Sequence, residues 1–109
     1  MTDRELLEKA AKAAGLVIRP DPHGILRDCT GFHMMANIFA APLWNPLTDD
    51  GDALRLAVQL CIPFSFWKHN GVIAGVGPDV SGISFDTICP YAATRRAIVR
   101  AAAETGASL

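Results

Sequence analysis

Three aspartates stand close together in the middle of the chain, at Asp49, Asp50 and Asp52. Carboxylate oxygens bind Mg²⁺ and Ca²⁺, so this group could serve a metal-dependent hydrolase. A calcium loop of the helix–loop–helix type needs ligands spread over about twelve residues and a closing glutamate, which this segment lacks. Acidic residues at a helix N-terminus instead satisfy free N–H groups and oppose the helix dipole. We therefore predict no metal site and no cofactor, and assign a helix-start motif to Trp44, Asn45 and the three aspartates.

Cysteine and histidine offer a second chemistry. Cys29 and His33 are spaced to share a helix face and His23 lies nearby, so a zinc site or a Cys–His nucleophile pair is conceivable. A structural zinc needs four ligands, commonly with a C-x-x-C pair, and the sequence has no such pair. The odd number of widely spaced cysteines fits reduced thiols, and we expect Cys61 and Cys89 at core-facing positions. We predict no catalytic residue.

Four arginines could bind an anion. Arg95, Arg96 and Arg100 share the last predicted helix, and Arg55 lies on the middle one. Guanidinium groups match phosphate in two-point geometry, so these residues are candidates for ligand or anion binding. The alternative is a solvated helix face, on which Glu104 can pair with Arg100 one turn away. Both interpretations stay open from the sequence.

The segment 32–44 is rich in large apolar residues. Adaptable methionines and aromatics are enriched at protein interfaces. We therefore predict a partner or oligomer interface formed by Phe32, Met34, Met35, Phe39 and Trp44. The alternative is that these side chains fill the core between the middle helix and a sheet, because a domain of this size has few large residues to spare.

Local signals predict three helices, over 3–14, 49–61 and 91–104. Thr2 and Glu5 have the spacing of a capping box for the first helix, and Gly15 suits the left-handed residue that ends it. Thr48 is the predicted N-cap of the second helix, and Gly106 closes the third. The periodicity of the second helix predicts a buried face made of Leu54, Ala57, Val58 and Cys61.

Apolar runs predict strands over 16–19, 25–29, 64–68, 72–76 and 82–88, with a further strand over 32–39. Asn70-Gly71 predicts a tight hairpin in which both residues take positive φ. Without the segment 32–39, the elements follow the order α, β, β, α, β, β, β, α, which lacks the strict alternation of parallel sheets. We predict a single α+β domain over 1–109, with an antiparallel sheet layered with helices as an α-β-α sandwich.

Composition excludes some partners. The chain has 109 residues, with 10 basic and 11 acidic side chains and a net charge of −1. It therefore lacks the basic field of a sequence-specific nucleic-acid binder. No apolar run reaches the roughly 20 residues of a membrane span, and the charged N-terminus does not have the pattern of a signal peptide. We expect a cytoplasmic protein.

Three segments resemble one known family. They are ELLEKAAKAAG (5–15), WNPLTDDGDALRLAV (44–58) and ATRRAIVRAAAE (93–104). Together they resemble the small bacteriophage and prophage proteins of the phage ABA sandwich domain family. The resemblance implies an α-β-α layered fold, a phage origin and residence in the host cytoplasm, and it supplies no catalytic residues. The stretch 25–41 departs from the family pattern.

These observations favour a small phage accessory protein that is not an enzyme. We expect it to bind a host protein or a small molecule as a homo-oligomer, and to counter a host defence, a role that rests on genomic analogy alone. Two alternatives stay open. One is a small metal-dependent hydrolase or nucleotide-processing enzyme that uses the aspartates and the arginines, and the other is a structural protein of virion assembly.

Overall fold

Helices and strands follow one another in the order that the sequence predicts. The structure is a computed structural model that describes residues 2–31, 37–67, 70–75, 81–85 and 89–107. In these ranges the helices are α1 (Asp3–Ala14), α2 (Asp50–Gln59) and α3 (Pro90–Ala107). The strands are β1 (Ile18–Pro20), β2 (Leu26–Asp28), β3 (Phe64–Phe66), β4 (Gly71–Ala74) and β5 (Ser81–Ser84). The predicted α+β class, with antiparallel pairing of the strands, is confirmed.

Helix α1 has the predicted ends. The Glu5 N–H donates to the Thr2 hydroxyl oxygen at 3.2 Å, which satisfies one N–H of the first turn. Gly15 has φ 72°, and its N–H donates to carbonyl oxygens of the last turn. Both signals act within a few residues, so the sequence predicts them without knowledge of the packing.

Helices α1 and α3 form the most extensive contact between two elements. Alanines dominate the buried surfaces of both helices: Ala10, Ala11 and Ala14 in α1, and Ala93, Ala97, Ala101, Ala102 and Ala103 in α3. Small side chains allow close approach of helix axes. The approach is closest at Gly106, where an added Cβ would lie 2.0 Å from the Lys9 carbonyl oxygen. Gly106 therefore lies inside α3 and does not end it.

Strands β1 and β2 form an antiparallel hairpin in which Ile18 lies opposite Asp28. The turn is built around the buried Asp21 carboxylate. It accepts from Arg27 Nε at 2.9 Å and from the N–H groups of His23 and Ile25 at 2.8 and 3.1 Å. The Arg27 hydrogen bond and these two N–H groups hold the pKa of Asp21 below its ordinary value, against an opposing effect of desolvation.

The second sheet has the order β3-β4-β5. Phe66 lies opposite Val72, and Phe64 lies opposite Ala74. These side chains share the sheet face that α3 covers, where Val72 and Ala74 are fully buried. The other face carries the half-exposed Ile73.

The hairpin between β3 and β4 is confirmed, but the predicted positive φ of Asn70 and Gly71 is wrong, because neither residue has one. Gly71 begins β4 and does not lie at the centre of the turn. Trp67 lies against it, so an added Cβ on Gly71 would be 2.1 Å from Trp67 Cζ2. Glycine is required here because an aromatic ring occupies the place of a side chain, and not because the turn needs a positive φ.

Helix α2 begins later and is rotated compared with the prediction. Asp49, and not Thr48, is the N-cap, and its carboxylate accepts from the Asp52 N–H at 2.8 Å. Leu54 and Val58, predicted to be buried, are 56% and 68% exposed. The buried face consists of Asp52, Ala53, Leu56 and Ala57. The inward Asp52 carboxylate accepts from the backbone N–H of Asn45 at 2.9 Å, on the same face as the buried Ala53, Leu56 and Ala57.

The segment predicted as a strand over 32–39 is a short 3-10 helix where the structure describes it, at Ile38–Ala40. The Asn37 side chain accepts from the Phe39 N–H at 3.0 Å and starts this turn, which a strand could not accommodate. Residues 32–36 lie outside the described ranges. Of the described helices, none combines the length and apolar character needed to cross a membrane.

Candidate partner-binding groove

An apolar groove of about 290 Å³ lies between α2, β3 and α3. Its walls include Leu54 from α2, Phe64 and Phe66 from β3, and Tyr91 and Ile98 from α3. The rotation of α2 turns Leu54 toward this groove instead of the core. The two phenylalanine rings meet edge to face, with centroids 6.3 Å apart.

Four exposed apolar side chains line the groove, and a fifth, Val58, lies beside it on α2. We call these five the apolar patch: Leu54, Val58, Phe64, Phe66 and Tyr91. Tyr91 is 72% exposed and Phe66 is 53% exposed. Val58 lies one helical turn after Leu54, on the same side of α2. If an aromatic side chain presents about 200 Å², the exposed aromatic surface is roughly 300 Å², and the two aliphatic residues raise it to about 500 Å². Contiguous apolar areas of this size often mark interaction sites.

An ion pair lies at the rim of the groove. Arg95 Nη1 lies 2.5 Å from Asp50 Oδ1, and Arg95 Nε donates to the Leu47 carbonyl oxygen at 2.8 Å. The Asp50 side chain is 70% exposed, whereas that of Arg95 is 18% exposed. Arg95 therefore joins the start of α2 to α3 and holds two walls of the groove together.

Two of the other predicted anion-binding arginines, Arg55 and Arg96, form ion pairs elsewhere. Arg55 lies 2.6 Å from an Asp52 carboxylate oxygen, and Arg96 makes a two-point contact with Asp3 at 3.1 and 3.2 Å. Arg100 is exposed on α3. Arg55 lines the cleft described below and Arg95 lines the groove, so the structure does not place these two in one depression. Anion binding by the four arginines stays a prediction.

The helix-start motif forms a closed set of hydrogen bonds. Asn45 Oδ1 accepts from the Leu47 N–H at 3.0 Å, while Asp52 accepts from the Asn45 N–H. Trp44 is 6% exposed and belongs to the core cluster. The bend before α2 turns its ring inward, and its assignment to a partner interface stays a prediction. Within the described ranges, no three histidine, cysteine, aspartate or glutamate side chains are arranged to hold a metal ion.

Of the other four residues of the predicted interface, the structure describes only Phe39. Phe39 is 45% exposed, and the Arg27 guanidinium lies 5.1 Å from the centroid of its ring. Phe32, Met34 and Met35 lie outside the described residues. The apolar patch, by contrast, was missed by the sequence reasoning. The sequence did contain one indication of the patch: apolar residues lie around most of α2, and one buried face cannot hold all of them.

The cysteines differ from the expectation. Cys29 is buried, but Cys61 and Cys89 are exposed, so their core-facing assignment is wrong. Cys61 follows the end of α2 with φ 52°, which turns its side chain outward. Cys89 precedes Pro90 at the start of α3. The backbone N–H groups of Ala92 and Tyr91, helped by the nearby Arg95 charge, lower the pKa of the Cys89 thiol below its ordinary value.

A larger cleft of about 760 Å³ lies between α1, the β1–β2 hairpin and the helix-start motif. Ile25 and Leu43 form exposed apolar walls, and Arg4, Asp49 and Arg55 supply charges of both signs. Its size falls in the range of small-molecule sites.

Comparisons with known proteins give no family assignment. No protein-family model matches the chain, and no curated protein or solved structure is significantly similar to it. The resemblance to the phage ABA sandwich domain therefore stays a prediction from the sequence.

Proposed function

We propose that this chain is a non-catalytic binding protein that docks another protein on the apolar patch. The observation that carries the proposal is the exposure of four large apolar side chains that line one groove, with Val58 exposed beside them on α2. Water contact with such an area is unfavourable by about 25 cal/mol per Å². A partner that covers the patch removes this contact, which is a driving force for association.

The shape of the groove favours a protein over a small molecule. Its volume of about 290 Å³ is at the lower limit of ligand sites, which enclose most of a bound molecule. Aromatic residues that stand out from a shallow groove with a charged rim resemble the centre of a protein interface. The resemblance to phage proteins supports a host protein as the partner and the host cytoplasm as the location.

The experiment uses two leucines of matched exposure. Leu54 in the patch is 56% exposed, and Leu43 in the cleft is 59% exposed. A photo-crosslinking phenylalanine analogue at Tyr91 captures partners from a bacterial lysate, and the captured protein is then purified and titrated by calorimetry. We expect Leu54→Asp to abolish binding of the purified partner and Leu43→Asp to retain it, with circular dichroism confirming that both variants fold. Equal binding by both variants would contradict the proposal.

The cleft supports a second candidate function, the binding of a small molecule. Its volume and its combination of apolar walls with opposed charges are the supporting observation. Native mass spectrometry of gently purified protein would reveal a retained ligand as an extra mass. In this case Leu43→Asp, and not Leu54→Asp, is expected to lose that mass.

A further inference from the structure

Strand β3 has an open edge next to the apolar patch. It is an outer strand of its sheet, and Phe64, Ser65 and Phe66 are all exposed. An outer strand of this kind presents main-chain N–H and C=O groups that can pair with another strand. The three residues carry no charge that would repel an incoming strand.

The hydrogen bonds to β4 show which groups point outward. The Trp67 N–H donates to the Gly71 carbonyl oxygen at 3.1 Å, and the Gly75 N–H donates to the Pro63 carbonyl oxygen at 3.0 Å. Main-chain groups in an antiparallel pair alternate between the two sides of a strand. The N–H and C=O groups of Phe64 and Phe66 therefore point away from β4. Within the described ranges, no hydrogen bond from another segment reaches them.

This edge is complementary to itself. In an antiparallel arrangement with Ser65 opposite Ser65 of a second copy, Phe64 of each copy faces Phe66 of the other. Opposed residues whose N–H and C=O groups point toward each other exchange two hydrogen bonds. The two Phe64–Phe66 pairs would therefore form about four hydrogen bonds. A shift by two residues leaves only one opposed pair whose N–H and C=O groups both point toward the other copy. A shift by one residue leaves no such pair. The edge thus selects one register.

We propose that a second copy of this chain pairs along β3, which joins two three-stranded sheets into one and places the two apolar patches side by side. This inference rests on the proposed function and deepens it, because it names what extends the docking surface. The opposed phenylalanines would add cross-strand aromatic contacts to the main-chain pairing.

Pairing along β3 would also extend the docking surface. One patch offers about 500 Å² of apolar surface, which is close to the apolar share of the roughly 800 Å² that a standard interface buries on each partner. Two patches related by a two-fold axis would form one continuous apolar surface larger than either alone.

Two variants of Ser65 test the register, because the two Ser65 side chains would lie beside the two-fold axis. Like charges at directly opposed positions destabilise the pairing of strands. We expect Ser65→Lys and Ser65→Glu each to raise the dimer dissociation constant roughly fivefold or more, and an equimolar mixture to restore a dimer. Sedimentation velocity measures this effect at protein concentrations from about 1 to 100 micromolar, a range that spans weak and tight dimers. A wild type that is monomeric throughout, or dimers that tolerate both single charges, would overturn the proposal.

Disulfide trapping gives a second readout. Opposed positions that are not hydrogen-bonded lie about 4.5 Å apart at their Cα atoms, which a disulfide can span. Under mild oxidation we expect Ser65→Cys to form a linked dimer in a background where Cys61→Ser and Cys89→Ser remove the exposed native thiols. Ser84→Cys, in β5 at the other side of the sheet, is the control. Trapping at position 84 instead of 65 would contradict pairing through β3.

The outcomes separate this inference from the proposed function. If Leu54→Asp stays dimeric and loses the purified partner, both proposals hold. If the wild type is monomeric and still binds the partner through Leu54, the function stands and the pairing along β3 is overturned. If the dimer forms as expected and Leu54→Asp binds the partner normally, the pairing stands and the proposed function is overturned.

Discussion

The close contact between α1 and α3 predicts opposite effects for two glycine-to-alanine substitutions. Gly51 lies in the first turn of α2 and Gly106 in the last turn of α3, and alanine is favoured over glycine in helices by up to about 1 kcal/mol. At Gly106 the new Cβ would lie 2.0 Å from the Lys9 carbonyl oxygen and 2.8 Å from the carbonyl carbon. Ordinary contact begins at 3.4 Å, so the two helix backbones would have to separate by more than 1 Å, an estimate that follows from close packing.

The magnitude follows from two opposing contributions. Overpacking of a close-packed interface costs about 1–3 kcal/mol, and rigid backbone on both sides places Gly106→Ala near the upper value. Subtracting the gain in helix propensity leaves a loss of about 2 kcal/mol in the free energy of unfolding. For a domain of this size, that loss lowers Tm by roughly 8 °C.

Gly51→Ala is the matched control. Its Cβ would lie 3.2 Å from Arg55 Nη1 and 3.2 Å from Asp49 Oδ2, which are ends of flexible side chains. These groups can move aside, so we expect a neutral effect or a gain of up to about 1 kcal/mol. Thermal and urea unfolding followed by circular dichroism measure both variants. A Gly106→Ala protein at least as stable as the wild type would refute the close approach of α1 and α3.

Three further predictions concern single side chains. Gly71→Ala is expected to displace the Trp67 ring, because its Cβ would lie 2.1 Å from a ring carbon, and a red shift of tryptophan fluorescence measures this. Asp21 has a lowered pKa in the folded protein, so its stabilising effect is present above its unfolded pKa near 3.8 and is lost as the pH falls through the folded value. Asp21→Asn should therefore flatten the fall of Tm on acidification below pH 4, a window set by that lowered pKa. Cys89 should react with iodoacetamide at neutral pH faster than the exposed Cys61, because its thiol has a lowered pKa, and mass spectrometry of peptides measures the two rates.

Each of these has an outcome that would contradict it. Unchanged fluorescence in Gly71→Ala would mean that the ring does not rest on that strand. If Tm falls on acidification by the same amount in Asp21→Asn and in the wild type, the ionised Asp21 carboxylate does not stabilise the hairpin. Equal alkylation of Cys61 and Cys89 would show that the start of α3 does not activate the thiol.

The elements of this fold were predictable because their signals are local. Thr2 and Gly15 mark the ends of α1 through hydrogen bonds that reach only a few residues along the chain. The same is true of the hairpin between β3 and β4, whose position the sequence Asn70-Gly71 indicates. The antiparallel class followed from the order of these elements.

The candidate site was not predictable in the same way, because exposure depends on elements that are distant in sequence. The pattern of apolar residues on α2 allowed several buried faces. In the folded chain Asp52, which accepts from the Asn45 N–H, lies on the buried face and Leu54 lies outside. Arg95 was expected on an outer surface, but its partner Asp50 is 45 residues away in the sequence.

The sequence by itself therefore determined the type and order of the helices and strands, apart from the segment 32–39, and both ends of α1, since capping, turn chemistry and periodicity are short-range effects. Only the tertiary structure decided which side of each element meets the core. Gly71 and Gly106 illustrate the difference, because both are needed for a ring or a backbone that approaches from elsewhere in the structure. The apolar patch exists for the same reason: its residues come from α2, β3 and α3, and the packing of these elements leaves them exposed.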